Sequence, residues 1–344
     1  MESKYNTRIE WIDAVKGIGI ILVMLSHSCG VPFLENYLIA GFIPLFFLSS
    51  GLTLKREFSY DKLGQKSKRL LYPYFIYGFF IISFMFVKSQ SFNYLLKCVW
   101  ALLYSRYCLF PLGSENNVAL LESGYNAPFW FLTAMCCAIL WTFWYLKIKK
   151  LTLKIICILV YSVLTFICSR LPILLPWSLD TSFFMALFII LGVELKDCFF
   201  CFLQKHTWNI IVLAIVLLLY FPLVSCNGIV NLSVRIYGQL GYYSVILCFI
   251  IGVAEYLIIS IILSHFEKVR IIHLFSKIGR CSLRLMCIHC LIFTLLNKLF
   301  SSIIPDINSY LASIIEIIFV VWLCIALDLV INKYNEKWPL LKWL

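Results

Sequence analysis

Hydrophobic residues are gathered into long runs that recur along the whole chain. Each run is long enough for an α-helix to cross the roughly 30 Å of hydrocarbon in a bilayer. Because a bilayer offers backbone groups no water, such segments cross it as helices. We predict ten membrane spans at residues 11–30, 38–54, 70–88, 127–146, 153–170, 180–196, 208–226, 242–263, 281–300 and 309–331.

Residues 92–110 form a further apolar stretch with a different pattern. Its sequence is FNYLLKCVWALLYSRYCLF, in which Lys97 and Arg106 interrupt the apolar residues. A charged side chain near the centre of a span is costly. We therefore predict an interfacial or re-entrant helix here and not an eleventh span.

The distribution of positive charge supports ten spans. With the N-terminus in the cytoplasm and residues at the span ends counted with the adjoining loops, the cytoplasmic segments hold 21 of the 29 lysines and arginines, the outer loops hold six, and two lie well inside spans. Cytoplasmic loops of membrane proteins carry such an excess. An eleventh span would invert every later loop and remove the asymmetry, so we expect both termini in the cytoplasm.

Composition excludes a soluble domain. Hydrophobic residues make up 62% of the chain, charged residues 13%, and the mean hydropathy is +0.93, whereas soluble domains carry about 25% charge. The net charge of +12 is explained by topology and by attraction to anionic lipid, so no nucleic-acid partner is expected. We predict an all-α polytopic protein with a single membrane domain over 1–344 and no cleavable signal peptide.

Fifteen cysteines raise the question of a metal site. Two CxxC spacings occur, at Cys198/Cys201 and Cys287/Cys290. Most of the cysteines lie inside apolar spans, where cysteine behaves as a small hydrophobic residue, and no second pair stands nearby to complete a tetrahedral site. The sequence favours packing for these cysteines, and no metal is expected.

The first span carries three ionisable residues, Asp13, Lys16 and His27. Asp13 and Lys16 are three apart and therefore neighbours on a helix. Lys16 and His27 are eleven apart, which is about three turns and roughly 16 Å of rise along the same face. Ionisable groups inside spans indicate function by default. The alternatives are an interfacial ion pair for Asp13 and Lys16, and a packed interhelical histidine for His27.

The second span contains residues that weaken a helix. In GFIPLFFLSSGL, residues 41–52, Pro44 and Gly51 are expected to loosen the backbone, and Ser49 and Ser50 can satisfy the freed groups. Such a break is tolerated where the backbone faces protein or a cavity. The alternative is an ordinary kinked span.

A basic cluster precedes the third span. In KSKRLLYPYF, residues 66–75, Lys66 and Arg69 are placed at the cytoplasmic start of the predicted helix. Positive charge at a helix N-terminus favours an anion, so this cluster would suit a phosphorylated cytoplasmic ligand. It could equally be a topology signal.

The ninth span carries two more ionisable residues. In IGRCSLRLMCIHCLIF, residues 278–293, Arg284 lies about one turn inside and His289 near the middle of the membrane. Glu255 and Glu316 also fall inside spans, where each could neutralise a cation or polarise a histidine. His206, His265 and His273 fall in predicted cytoplasmic loops, where solvation explains them.

Taken in order, these segments resemble the acyltransferase-3 family of membrane acyltransferases. RIEWIDAVKGIGIILVMLSH (8–27) resembles the family's opening helix, PLFFLSSGL its Phe-Phe-x-x-Ser-Gly segment, and KSKRLLYPYF its basic stretch before Pro-Tyr. FWFL (129–132), with Trp130, resembles the start of a later span, FFMALFIILGVEL (183–195) fits the intervening span more loosely, and IGRCSLRLMCIHCLIF resembles the late histidine segment. The resemblance covers essentially the whole chain.

The resemblance implies transfer of an acyl group, usually acetyl from cytoplasmic acetyl-CoA, to a sugar hydroxyl. It implies acyl-CoA as co-substrate, no bound cofactor, and a carbohydrate acceptor on a cell-surface glycan or its lipid-linked precursor. A histidine base is worth about 10²–10⁴ in rate for such a hydroxyl. The site residues expected are His27 (general base) and His289 as catalytic groups, Lys16, Lys66, Arg69 and Arg284 for acyl-CoA, and Asp13, Ser50, Gly51 and Trp130 in support.

We expect an integral, multi-pass protein of the bacterial cytoplasmic (inner) membrane that contacts membrane lipids. Two other classes of function stay open from the sequence. Broken helices and charges within the membrane also occur in transporters and flippases, and the polar groups could serve only to lock helices together in a sensor or assembly protein.

Overall fold

The computed structural model describes residues 9–28, 37, 40–110, 128–266, 269–304 and 308–334. Over these residues the protein is all-α, as predicted, with two short 3₁₀ helices (Pro176–Ser178 and Leu232–Val234) and no strand beyond one isolated bridge between Asn231 and Ile236. The α-helices are α1 (Glu10–Ser28), α2 (Phe42–Thr53), α3 (Tyr60–Ser89), α4 (Phe92–Tyr104), α5 (Trp130–Lys147), α6 (Leu151–Cys168), α7 (Leu179–Leu203), α8 (His206–Asn227), α9 (Tyr243–His265), α10 (Arg270–Arg280), α11 (Ser282–Ile303) and α12 (Ser309–Tyr334).

Each of the ten predicted spans contains one of these helices. Within the described ranges, eight helices are long and apolar enough to cross a membrane, namely α1, α3, α5, α6, α8, α9, α11 and α12. The helix α7 is also long, at 25 residues, but carries Asp180 in its first turn and Glu194, Lys196 and Asp197 in its C-terminal half. Three predicted spans have a boundary outside the described residues, at residues 29–30, 38–39 and 127. Both termini also lie outside them.

The helix α4 has the length expected of an interfacial or re-entrant segment. It has 13 residues, about two thirds of the roughly 20 that a span typically requires. It packs against α3, where Tyr74 donates a hydrogen bond to the carbonyl of Leu102. The helix α2 in the second predicted span is equally short, at 12 residues, so length alone does not separate α4 from a span, and the absence of an eleventh span at 92–110 stays a prediction.

The third span begins earlier than predicted, and this corrects the interpretation of its basic cluster. Ser59 caps α3 by accepting a hydrogen bond from the backbone of Lys62. Lys66 and Arg69 therefore lie in the second and third turns of the helix and not at its N-terminus. Since the effect of the helix dipole fades after the first turn, the dipole adds nothing to the attraction of these two cations for an anion, and anion binding here stays a prediction.

The second span is a continuous helix over its described part, so the predicted loosening is wrong. Pro44 lies in the first turn of α2, where a missing N–H is tolerated. Gly51 has a packing role, because a Cβ atom there would overlap the carbonyl oxygen of Ile189 and lie 3.0 Å from the Cα of Gly192. The helices α2 and α7 cross at these two glycines.

The amphipathic helix α10 crosses α1 in the closest helix contact of the fold. A Cβ atom at Gly17 would overlap the carbonyl oxygen of Phe275, and one at Gly279 would overlap that of Asp13. His273 adds a hydrogen bond of 2.6 Å to Glu10. Because α11 starts directly after this crossing, the contact brings a helix from the end of the chain beside the first helix.

A fully buried ionic network ties together three connecting segments on the predicted outer side. Asp180, at the start of α7, pairs with Arg106 and lies 3.2 Å from Arg235. These side chains are at most 1% exposed. Arg106 also donates to the carbonyls of Leu175 and Ser233. The segments after α4, before α7 and around Leu232–Val234 are therefore fixed relative to one another.

Candidate active site

His27 lies in the last turn of α1 and its side chain is exposed. The serines beside it do not hold it, because Ser26 donates to the carbonyl of Val23 at 2.7 Å and Ser28 to that of Leu25 at 3.2 Å. Within the described residues, a group that orients the imidazole must therefore come from another segment of the chain.

His289 of α11 is the histidine that the fold brings to His27. Its side chain is 0% exposed, and its Nδ1 lies 2.8 Å from the carbonyl oxygen of Leu285. A carbonyl only accepts, so Nδ1 carries the proton and Nε2 is left with a lone pair. Among the described residues, that Nε2 has no hydrogen-bond partner.

The two imidazole rings lie with their centroids 5.3 Å apart and their planes inclined by 40°. The exposed ring of His27 thus stands beside a fully buried ring whose tautomer is set by the backbone. His289 can accept a hydrogen bond at Nε2 but, as a neutral ring, has no N–H free to donate there. This geometry suits an orienting role for His289.

His27 borders a cavity of about 330 Å³. Its inner wall includes Val23 of α1 and Met286 of α11, and its side wall includes Phe42, Trp130 and Phe131. Trp130, predicted in a supporting role, is buried and forms part of this wall. The cavity is large enough to admit a small substrate group to His27.

The outer wall of the cavity carries polar groups among the apolar residues Ile229, Val230 and Leu232. It includes Tyr107, Asn231 and Ser233. Ser233 is joined to Tyr107 by a hydrogen bond of 3.3 Å, and its hydroxyl and amide both donate to the side-chain oxygen of Asn231. Burial raises the pKa of the Tyr107 hydroxyl, so it remains protonated and can donate. The buried network of Arg106, named above, holds this wall in place.

Three of the cations predicted for acyl-CoA gather at the other end of α1. Lys16 lies 3.5 Å from Asp13, which confirms that these two share a face. Lys66 lies close enough to Lys16 and Arg69 for both positive charges to act on its ammonium group. The cluster lies about 16 Å below His27 by helix rise.

Arg284, the fourth predicted acyl-CoA residue, has partners on α12. Its guanidinium lies 3.3 Å from the carboxylate of Asp328 and 3.4 Å from the carbonyl of Cys324. The side chain is 10% exposed. Its charge is therefore balanced within the α11–α12 contact, and a role toward acyl-CoA stays a prediction.

Two other predicted supporting residues stand apart from the cavity wall. Gly51 packs against α7, as described above, and Ser50 beside it is half-buried at the predicted cytoplasmic end of α2. Neither is among the residues that line the cavity. A role for Ser50 in the reaction stays a prediction, whereas Gly51 sets the distance between two helices.

The intramembrane carboxyl groups do not contact the histidines through any hydrogen bond that the structure describes. Glu255 accepts a hydrogen bond of 2.8 Å from Tyr220, and its other oxygen has no partner. Both oxygens of the fully buried Glu316 are likewise without hydrogen-bond partners. The interpretation of either residue as a partner of a histidine is not supported.

Several residues of the site gave no signal in the sequence. Tyr107, Asn231 and Ser233 lie in connecting segments without a motif, and Cys290 was assigned to packing. The structure places a ring nitrogen of His27, a ring nitrogen of His289 and the sulfur of Cys290 within 4.8 Å of one another. The position of Cys290 next to His289 in sequence was the signal available.

A larger groove of about 1120 Å³ opens between α6, α7 and α9. Its lining is almost entirely apolar, with Arg170 and Glu194 among the few charged residues, and neither His27 nor His289 borders it. Apolar grooves between helices are ordinary on lipid-facing surfaces, so the smaller cavity that His27 borders is the candidate site.

The helices and their composition define an integral, multi-pass membrane protein. The acyltransferase 3 family, described as an acyltransferase domain, matches residues 9–331, and the chain belongs to this family. It is therefore a membrane acyltransferase, which requires an acyl donor as co-substrate. No curated protein and no solved structure matches the chain significantly.

Proposed function

We propose that the protein moves an acetyl group from cytoplasmic acetyl-CoA to a hydroxyl of a cell-surface glycan or its lipid-linked precursor, with His27 as the general base. The observation that carries this proposal is the exposure of His27 to a cavity while His289 stands 5.3 Å behind it. A purely structural histidine would be packed, whereas this ring is accessible.

The donor is assigned to the cytoplasmic end of α1. Lys16, Lys66 and Arg69 form a cluster of three positive charges there, and only Lys16 has an acidic neighbour, Asp13, within the pairs described. Phosphate groups pair strongly with such cations. With its phosphates bound at this cluster, CoA would extend its thioester arm along α1, past Val23 and Met286, toward His27.

The acceptor is assigned to the outer wall. Tyr107, Asn231 and Ser233 offer hydroxyl and amide groups in a fixed arrangement, and groups of this kind bind sugar hydroxyls by donating and accepting. An acceptor bound there would present a hydroxyl to His27 from the side opposite the donor.

The chemistry follows from this arrangement. The lone pair of His27 removes the hydroxyl proton as the oxygen attacks the thioester carbonyl carbon. The tetrahedral intermediate collapses with cleavage of the C–S bond, and protonated His27 returns its proton to the departing CoA sulfur. The products are an ester and free CoA, and His27 is neutral again. A positioned base of this kind contributes about 10²–10⁴ in rate.

His289 has the role of a positioning residue. A small rotation of the exposed His27 ring would let its N–H donate to the unpaired Nε2 of His289, leaving the other nitrogen of His27 as the base. An unpaired buried acceptor costs about 1–3 kcal/mol, so this hydrogen bond would relieve a penalty that the structure records. The arrangement follows the nucleophile, base and orienting group that recur in acyl transfer.

The proposal is tested by the ester content of surface glycans. Cells that produce the wild-type protein, cells that lack it, and cells that produce His27→Ala are compared by mass spectrometry of extracted polysaccharide. We expect O-acetyl groups with the wild type alone. Equal O-acetyl content in all three would overturn the proposal, and loss of the glycan itself without any change in esterification would indicate a transporter or flippase.

A further inference from the structure

His27, His289 and Cys290 form a cluster that the acyl-transfer proposal does not fully use. One ring nitrogen from each histidine and the sulfur of Cys290 lie within 4.8 Å of one another. The cluster combines an exposed ring, a fully buried ring and a partly buried thiol. Cys290 is a free cysteine, so its sulfur is available as a ligand.

The hydrogen bonding of His289 resembles that of histidines that bind metal ions. Histidines that bind metals commonly donate their second N–H to a backbone carbonyl, which fixes the tautomer and orients the ring. His289 donates in this way from Nδ1 to Leu285 at 2.8 Å. Its Nε2 is buried and has no hydrogen-bond partner in the part of the chain that the structure describes. This unpaired atom is an observation independent of the cluster's composition.

We propose that His27, His289 and Cys290 bind a zinc ion, and that the ion inhibits the transferase by occupying the lone pair of His27. Two imidazoles and a thiolate suit Zn²⁺ among the common divalent ions. The inhibitory part rests on the proposed function, whereas the binding part does not.

The three ligand atoms need to move only slightly closer together to bind a zinc ion. Zn–N and Zn–S bonds of about 2.0–2.3 Å in a tetrahedral site place the ligand atoms roughly 3.3–3.8 Å apart. The exposed His27 ring can rotate by the ångström or so that is needed. The cavity beside His27 provides the entry path and the fourth position for a water molecule.

Zinc binding releases one proton from the site. Neutral His27 and His289 each donate a lone pair, and the thiol of Cys290 loses its proton to water as its sulfur binds the ion. No oxidation or reduction takes place. The bound ion carries a water on the cavity side, so His27 can no longer accept the proton of an acceptor hydroxyl.

Cobalt(II) provides a direct spectroscopic probe of the binding. Cys198, Cys201 and Cys226 are exposed, so the titration uses the full chain with all three changed to serine, purified in detergent with a phosphine reductant. We expect one Co²⁺ per chain with a thiolate-to-cobalt absorption band that Zn²⁺ abolishes. Cys290→Ser should lose the band, and His289→Ala should weaken binding at least tenfold.

Cys287→Ser is the matched control. Cys287 is buried on the same helix one turn away and is not a member of the cluster, so its loss should leave the band unchanged. A band retained in Cys290→Ser, or lost in Cys287→Ser with an unchanged melting temperature, would overturn the site. Because the band is read without acetyl-CoA, this result is independent of whether the protein transfers acetyl groups.

Transfer assays test the inhibition separately. Zn²⁺ should inhibit the wild type reversibly, with a chelator restoring activity, and should inhibit Cys290→Ser at least tenfold less strongly. A requirement for zinc in transfer would overturn the inhibitory role and also the role of His27 as a free base. Cobalt binding in a protein without transferase activity would leave the site standing and remove the proposed function.

Discussion

His27 and His289 stand 5.3 Å apart between ring centroids, although 261 residues separate them in the chain. One belongs to the first helix and the other to α11, and the close crossing of α10 over α1 brings these elements together. One ring is exposed to a cavity and the other is fully buried. This asymmetry is the basis for assigning the base to His27 and an orienting role to His289.

The first prediction concerns that orienting role. His289→Ala should lower the rate of transfer by several-fold to about tenfold, since a hydrogen bond contributes about 1 kcal/mol, while the apparent affinity for acetyl-CoA stays unchanged. His289→Gln, whose amide oxygen can accept from His27, should recover part of the rate. Steady-state kinetics on both variants provide the comparison. Equal losses in the two variants would indicate a packing role only.

The second prediction concerns the donor site. Arg69→Glu should raise the KM for acetyl-CoA by about 10- to 100-fold, as expected for loss of a charge-assisted contact worth 1.5–3 kcal/mol, with kcat little changed. Lys68→Glu is the matched control, because Lys68 is exposed on the same helix and lies outside the cluster. If both substitutions raise KM equally, the effect is one of general charge and the assigned donor site is wrong.

The third prediction concerns the buried ionic network. Asp180→Asn leaves Arg106 and Arg235 without their shared carboxylate and should destabilise the protein by about 3–5 kcal/mol. Asp197→Asn is the control, because Asp197 is exposed and lies 4.0 Å from the exposed Arg56; it should change stability by less than about 0.5 kcal/mol. Thermal unfolding in detergent gives both values. Similar melting temperatures for the two variants would contradict the structure.

The fourth prediction concerns the crossing of α2 and α7. Gly51→Ala places a Cβ atom against Ile189 and should destabilise the protein by about 1–3 kcal/mol. Gly64→Ala provides the control, since a Cβ atom there meets nothing within 4 Å and a helical alanine is favoured over glycine by about 0.5–1 kcal/mol. The two substitutions should therefore shift the melting temperature in opposite directions. A shift in the same direction would argue against the helix crossing.

The helices could be predicted from the sequence because hydropathy and helix length are local properties. All ten predicted spans contain a helix, whereas the position of α4 relative to the membrane stays a prediction. The start of α3 was misplaced because its first ten residues are polar enough to resemble a loop, while their helix depends on the cap at Ser59. Hydropathy gives no information about such a cap.

The site could be predicted only in part. His27 and the pair of Asp13 and Lys16 follow from spacing along one helix. The contact between His27 and His289, and the approach of Lys66 to Lys16, depend on how distant helices pack, which no spacing specifies. Gly51 was interpreted as a weak point because its packing partner lies on α7. Cys290 was assigned to packing because its chemistry depends on the two histidines beside it.

Our central claim is that the imidazole of His27 is the base of an acyl transfer. The most direct measurement is transfer of radiolabelled acetyl from acetyl-CoA to extracted glycan by wild-type and His27→Ala protein in proteoliposomes, with both melting temperatures recorded. The account predicts a loss of about 10²–10⁴ in rate with an unchanged melting temperature. Transfer by the folded His27→Ala variant at a rate close to that of the wild type would contradict it.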